Sequence, residues 1–168
     1  MKKYSIIAIL SVIVGILLDQ YTKLLAVAHL KEAPITIIKG VFQLHYLENR
    51  GAAFGMLQNQ QMFFLITGVI MIAVVSVLYL RLPLTKRMLP LRICFILIAS
   101  GAIGNMIDRV RLNYVIDFFY FELINFPIFN VADIYVTLAA AGLIFCILFY
   151  YKDEELEELF KKKPKQEQ

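Results

Sequence analysis

Four aspartates are the side chains of this sequence whose type and position could do chemistry: Asp19, Asp108, Asp117 and Asp133. Asp108 ends "GNMID" and Asp133 ends "FNVAD", so each follows an asparagine by three residues, on the same face of a helix. Two carboxyl groups brought close together in a poorly solvated place share one proton. One can then polarise a scissile carbonyl while the other activates water. Asp117 and Asp133 are the best-placed couple for this chemistry.

The elements that must position these acids are membrane spans. Sixty per cent of the 168 residues are hydrophobic, and the mean hydropathy of +0.71 is too high for a soluble domain. A helix needs roughly 20 apolar residues to cross a hydrocarbon core of ~30 Å. We therefore predict an all-α membrane protein forming one integral membrane domain over residues 1–168. Its predicted parts are spans at about 4–28, 62–80, 93–108 and 129–151, outer loops at about 29–61 and 109–128, and a cytoplasmic tail at 152–168.

The basic residues predict the orientation of the spans. Eleven lysines and arginines fall on the side that holds both termini and five on the opposite side, while Lys23 lies within the first span. Because loops rich in Lys and Arg stay in the cytoplasm, both termini are predicted to be cytoplasmic.

The predicted depth of the four aspartates in the membrane places them at one level. Counting about 1.5 Å per residue from the cytoplasmic ends, Asp19 and Asp108 lie roughly 24 Å up their spans and Asp133 roughly 28 Å. Asp117 belongs to the short outer connection and is confined to the same level. Ionisable groups beside the hydrocarbon are costly and usually mark function. The alternative is structural, since Asn130 could cap the fourth helix and Asp133 could favour its positive end.

Three charged neighbours have two interpretations each. Asp19 and Lys23 are four residues apart and form either an ion pair that ties the helix to the outer loop or a substrate contact. Arg109 could pair with a carboxylate or reach a headgroup phosphate. Because it follows Asp108 directly, we expect Asp108 to stay ionised and to orient other groups.

The outer loop after the first span alternates apolar and polar residues and is rich in β-formers. It predicts a short sheet lying on the membrane. Gly40, Gly51 and Gly55 mark turns or close backbone approach, and Asn49 and Arg50 lie where the loop returns to the bilayer.

The sequence does not favour a metal site, a serine or cysteine nucleophile, or a nucleic-acid partner. The sequence contains no HExxH or GxSxG motif, neither Cys94 nor Cys146 lies in a loop, and His29 and His45 lack a ligand pattern. No metal site and no cofactor are predicted. Nucleic acid is excluded as a partner because no basic patch is interleaved with aromatic residues.

Five motifs in order, "DQYTK", "NRGAAF", "GNMIDR", "VIDF" and "FNVAD", resemble those of the lipoprotein signal peptidases, or signal peptidase II, which are bacterial intramembrane aspartyl proteases. The resemblance implies cleavage of a prolipoprotein signal peptide just before a diacylglyceryl-modified cysteine, at the outer side of the bacterial cytoplasmic membrane. It also implies a small outer β-cradle, a mobile outer lid over residues 111–127, membrane lipids as partners, and a monomer.

Carried over by position, the resemblance places the catalytic pair on Asp117 and Asp133. The supporting residues that it implies lie in four of the motifs: Asp19 and Lys23; Asn49 and Gly51; Asn105, Asp108 and Arg109; and Asn130.

Two departures from the family pattern concern the lid. Many relatives have glycine where this chain has Asn113, although asparagine tolerates a left-handed backbone. Many also have a tryptophan before the second motif, and this chain has none. The rival function is a small proton-coupled transporter or channel, which should distribute acids through the bilayer rather than at one level.

Overall fold

The computed structural model describes residues 2–51 and 59–155, with side chains from residue 5 onward. Four helices in these ranges are long and apolar enough to cross a membrane, which confirms the predicted number of spans. They are α1 (Lys2–His29), α2 (Gln61–Arg81), α3 (Leu89–Leu112) and α4 (Val131–Phe145), which continues as a π-helical turn over Cys146–Tyr150. The predicted turn at Gly55, the end of "NRGAAF" and the tail beyond residue 155 lie outside the described residues.

The predicted outer sheet is present and has three strands. β1 (Ile35–Ile38) and β2 (Phe42–Asn49) come from the loop after α1, and β3 (Val115–Tyr120) comes from the connection between α3 and α4. All neighbours are antiparallel, with β2 in the centre. The segment predicted as a lid, residues 111–127, therefore contains the end of α3 and all of β3, and only its residues 121–127 belong to the connection to α4. Their mobility stays a prediction.

The third span is longer than its charges suggest. α3 passes through Asp108 and ends at Leu112, where Asn113 adopts a left-handed conformation with φ 64° and ψ 17°. This backbone confirms that asparagine can stand where many relatives have glycine. The predicted boundary at residue 108 was too early because Asp108 is buried inside the bundle rather than exposed at its surface.

Helix α3 is the centre of the bundle. α1, α2 and α4 all pack against it, and α1 also contacts α4, whereas α2 makes little contact with α1 or α4. One apolar cluster fills the half of the bundle away from the sheet, around Phe95 and Ile98, and a second lies under the sheet, around Ile116 and Phe118. The polar residues predicted to form a site lie near the ends of the spans next to the sheet, beside this second cluster.

Candidate active site

The start of α4 fixes the position of Asp133. Asn130 is the N-cap residue, and its side-chain oxygen accepts a hydrogen bond of 3.0 Å from the backbone N–H of Asp133. In return, Asp133 Oδ2 accepts one of 3.1 Å from the backbone N–H of Asn130. This reciprocal capping box satisfies two N–H groups that the first turn of a helix leaves without partners. The predicted cap at Asn130 is confirmed, and it holds the Asp133 carboxyl at the helix terminus.

Asp117 comes from strand β3. It is paired with Leu47 across the sheet, so Asn49 is its diagonal neighbour on the same face. Asn49 Nδ2 donates to Asp117 Oδ2 at 2.8 Å, and Asn130 Nδ2 donates to Oδ1 at 2.6 Å. Only 1% of Asp117 is exposed, and burial, followed by the negative charge of Asp133, raises its pKa to about 7.

Two asparagines connect the two aspartates. Besides its bond to Asp117, Asn130 donates to Asn105 Oδ1 at 3.0 Å. Asn105 Nδ2 in turn donates to Asp133 Oδ1 at 2.9 Å. The asparagines that precede Asp108 and Asp133 by three residues therefore meet, as their equal depth predicted. These hydrogen bonds to the two acids all come from neutral amide groups.

Both acids line one cavity, which we call the active-site pocket. It has a volume of about 540 Å³ and opens between the sheet, α3 and the start of α4. Its polar side chains are those of the two acids and of Asn49, Asn105, Arg109 and Thr137. One wall is apolar and consists of residues 126–129, of which the first two end the segment predicted to be a lid. The pocket thus combines a carboxyl pair with an apolar surface.

Arg109 and Gly51 lie at the edge of this pocket. The Gly51 backbone N–H donates to Asn49 Oδ1 at 3.0 Å, and its carbonyl accepts a long hydrogen bond of 3.5 Å from Arg109 Nη2. The guanidinium lies 4.6 Å from the centre of the Phe64 ring. Within residues 5–51 and 59–155, Arg109 forms no ion pair closer than 4.0 Å, so the predicted pairing with a carboxylate is not seen there.

The remaining charged residues form a separate group, the buried ion cluster, which consists of Asp19, Lys23 and Asp108. Lys23 Nζ lies 2.8 Å from Asp19 Oδ2 and 2.9 Å from Asp108 Oδ2, and it donates a third bond of 2.8 Å to Asn105 Oδ1. These contacts use all three ammonium donors. All three cluster residues are at least 98% buried.

The buried ion cluster joins four elements of the fold. Asp19 on α1 accepts from the backbone N–H of Ala132 on α4 at 2.9 Å, and Asp108 on α3 accepts from the N–H of Ile116 on β3 at 3.2 Å. It therefore fixes the backbone next to each pocket aspartate. None of its residues lines the pocket, and the Asp19–Lys23 pair binds α1 to α3 and α4 rather than to the outer loop. The partner of Asp108 is Lys23 and not its sequence neighbour Arg109.

Two glycines that this packing requires were not predicted from the sequence. A Cβ on Gly104 would lie 2.5 Å from Asp19 Oδ2, and one on Gly101 would lie 2.5 Å from the carbonyl oxygen of Ala132. The signal that could have found them was their spacing, because small residues one turn apart in an apolar span mark close helix contacts. Gln20 also supports the buried ion cluster, because its side-chain amide donates to Asp108 Oδ1 at 3.0 Å and to Asp19 Oδ2 at 3.2 Å.

Solved structures provide the first comparison. The fold matches a bacterial membrane enzyme with a TM-score of 0.74 and 27% identity, over 96% of this chain and 94% of that one. A second bacterial membrane enzyme structure matches with a TM-score of 0.73 and 28% identity, over 86% of this chain and 94% of that one. The four-helix frame with its sheet is thus shared with known membrane enzymes.

Curated protein sequences provide the second comparison. The lipoprotein signal peptidase of Clostridium tetani is 41% identical over 155 residues, which cover 89% of this chain and 96% of the relative. That of Clostridioides difficile is 45% identical over 143 residues, covering 84% and 95%. The family model for signal peptidase (SPase) II matches residues 11–149, a range that contains all ten predicted site residues. This chain belongs to the signal peptidase II family.

Proposed function

We propose that this protein is an intramembrane aspartyl endopeptidase that removes the signal peptide from diacylglyceryl-modified prolipoproteins, cleaving just before the lipidated cysteine. Membership of the signal peptidase II family supports a protease that acts on prolipoproteins. One observation carries the aspartyl mechanism: Asp117 and Asp133 line the same pocket, and two shared asparagines connect them. A transporter would need acids at other depths, and the spans have theirs near one level.

The two aspartates share one proton, and Asp117 holds it at rest. A pKa of about 7 keeps the Asp117 carboxyl protonated in the lower part of the neutral range. Asp133 lies in the first turn of α4, where the helix dipole and the Asn130 N–H favour a negative charge. This division makes Asp117 the acid and Asp133 the base.

The reaction follows from that division. Asp133 removes a proton from a water molecule, whose oxygen attacks the scissile carbonyl carbon while Asp117 donates a hydrogen bond to the carbonyl oxygen. The C–N bond then breaks, and the proton received by Asp133 passes to the leaving amine of the cysteine. The peptide ends in a new carboxyl group, and the pair returns to one shared proton.

The other site residues act through position. Asn49, Asn105 and Asn130 hold the two carboxyl groups, and Arg109 and Gly51 are placed to bind the substrate backbone at the rim of the pocket. The buried ion cluster positions β3 and α4 beneath them. All of these residues belong to one chain, which supports an enzyme that acts as a monomer.

The site acts at the outer face of the bacterial cytoplasmic membrane, with both termini in the cytoplasm. The excess of basic residues on the terminal side supports this orientation. A substrate anchored by its lipid in the outer leaflet would present its modified cysteine at the level of the acids. Residues 126–128 line the pocket from the side, and the connection that contains them, residues 121–128, acts as its lid.

The decisive test is to replace each pocket aspartate. Asp117→Asn and Asp133→Asn are each expected to lower cleavage of a diacylglyceryl prolipoprotein in detergent by about 10³-fold or more, because neither can exchange a proton as a carboxyl can. Both variants should elute and melt as folded proteins. Full activity in either variant would remove that residue from the pair. Asp153→Asn, in the exposed cytoplasmic segment, is the matched control and should cleave normally.

Metal dependence separates this mechanism from metal-assisted hydrolysis. Prolonged treatment with a chelator should leave the cleavage rate within about twofold of the untreated enzyme, because the proposed pair activates water by proton transfer alone. The rate is measured before and after adding back zinc. A strong loss that zinc restores would contradict the aspartyl mechanism.

A further inference from the structure

A second cavity continues from the active-site pocket into the bundle. We call it the α2/α4 groove, because α2 and α4 form its sides and α3 its floor. It has a volume of about 380 Å³. Five residues line both this groove and the pocket: Phe64, Asn105, Arg109, Asp133 and Thr137. The groove is therefore an extension of the site rather than a separate cavity.

The groove runs from the level of the acids towards the middle of the membrane. Its floor extends along α3 from Asn105 to Ile98, seven residues and about 10 Å deeper. Met71 and Thr67, which lie along the α2 side, are exposed, so the groove is open sideways to lipid. This is the direction in which the acyl chains of a lipid anchored in the outer leaflet extend.

The lining suits an alkyl chain better than a peptide. Its polar side chains lie at the rim shared with the pocket, except Thr67, whose hydroxyl donates back to Phe63 O at 2.9 Å and Phe64 O at 3.1 Å. An extended peptide would leave its N–H and C=O groups without partners there. One turn of a helix about 10–12 Å wide occupies roughly 400–600 Å³, which is more than this groove offers.

Gly68 and Met106 determine how deep the groove is. A Cβ on Gly68 would lie 2.6 Å from Met106 Sδ, so the flexible thioether rests directly on the bare backbone of α2. Any side chain at position 68 must push Met106 away or fill the space itself. A large side chain at position 68 would therefore narrow the groove at the level of these two residues.

We propose that the α2/α4 groove binds one acyl chain of the substrate's diacylglyceryl group, and that Gly68 and Met106 set the chain length it accepts. The inference rests on the proposed function, since it concerns the lipid part of that substrate. The glycerol end lies at the rim near Asp133, and the chain extends past Met106 towards Ile98.

Crosslinking tests where the chain lies without requiring cleavage. A diacylglyceryl peptide with a diazirine at the end of one acyl chain is irradiated with the Asp117→Asn variant, and the labelled residues are mapped by mass spectrometry. Label on Met71, Ile98 or Ala102 is expected. If those groove residues remain unlabelled, or if a diazirine in the signal peptide labels them more strongly than the acyl probe does, the assignment is wrong.

Cleavage kinetics test the role of Gly68. Gly68→Leu should lower kcat/KM for a dipalmitoyl substrate by about tenfold or more and for a dibutyryl substrate by less than threefold, because only the long chain extends past Met106. Ala73→Leu, on the exposed side of α2, is the matched control and should change neither value. Equal losses with both substrates, or no loss with either, would overturn the proposal.

The two experiments separate this inference from the proposed function. If the wild-type enzyme cleaves neither substrate, the proposed function fails, and the crosslinks still decide whether the groove takes an acyl chain. If the wild-type enzyme cleaves both but the acyl probe labels residues outside the groove, the function stands and the groove assignment fails.

Discussion

Two pairs of aspartates lie side by side in this bundle in opposite surroundings, and Asp133 is half-buried whereas the other three are buried. Asp19 and Asp108 each contact the Lys23 ammonium within 3 Å and do not line the pocket. Asp117 and Asp133 are held by neutral amides and line a cavity of about 540 Å³. A carboxylate paired with a buried cation keeps its charge, whereas one supported only by amides can still gain or lose a proton. The same residue type therefore has surroundings suited to structure in one pair and, in the proposed function, to chemistry in the other.

Removing the cation should have the largest effect on the structural side of this comparison. Lys23→Met leaves Asp19 and Asp108 facing each other without compensation, at a cost of about 3–5 kcal/mol in the free energy of unfolding. We expect a much lower melting temperature in detergent, with activity lost because the protein unfolds. The measurement is a thermal melt followed by intrinsic tyrosine fluorescence.

Replacing an aspartate of the pocket pair should affect the melting temperature much less than replacing Lys23 does. Asp117→Asn should melt within a few degrees of the wild type although it is inactive, because no buried cation loses its partner. A Lys23→Met variant that melts like the wild type would contradict the structural role of the buried ion cluster. A triple variant with Asp19→Asn, Lys23→Met and Asp108→Asn should recover part of the lost stability, since no uncompensated charge remains.

Close packing around the cluster provides a smaller test. Gly104→Ala places a methyl group 2.5 Å from Asp19 Oδ2, and Asp19 cannot move because Lys23 and the Ala132 N–H hold it. We expect the variant to lose about 1–3 kcal/mol of stability despite the better helix propensity of alanine. Gly68→Ala is the matched control because its methyl meets only a flexible methionine. Equal melting temperatures for the two variants would show that Asp19 is free to shift.

The sequence predicted the contacts that follow from regular helix geometry. The rise of 1.5 Å per residue put Asp19, Asp108 and Asp133 at one level, and the i,i+3 interval placed Asn105 and Asn130 to meet. Both results need only that the spans be helices. The cap at Asn130 was equally local, since its partner lies three residues away.

Contacts between distant segments could not be predicted in the same way. Asp108 was expected to act with Arg109, but consecutive helical residues point about 100° apart, so the two side chains separate and Asp108 meets Lys23. The strand at Val115–Tyr120 depends on pairing with β2, some 70 residues earlier, and local composition did not distinguish it from a lid. The glycines of α3 become informative only once α1 and α4 are known to approach there.

The smallest expected effect is a shift in the pH dependence of cleavage. In the proposed mechanism Asp117 must be protonated, and its pKa is raised to about 7, so kcat/KM should fall as the pH rises through about 7. The hydrogen bond from Asn49 favours the ionised form of Asp117 and therefore lowers this pKa. Asn49→Ala should consequently move the alkaline limb to higher pH, by roughly 0.5–1 unit for one hydrogen bond.

Gln43→Ala is the matched control for that shift. It removes an amide from the same strand, but this amide donates to Glu122 at 2.6 Å and does not reach the pocket. Its profile of kcat/KM against pH should coincide with that of the wild type. A limb that moves to lower pH in Asn49→Ala, or that moves equally in both variants, would mean that Asp117 is not the acid of the pair. A shift in Asn49→Ala alone would show that the proton held by Asp117 distinguishes the pocket pair from the buried ion cluster.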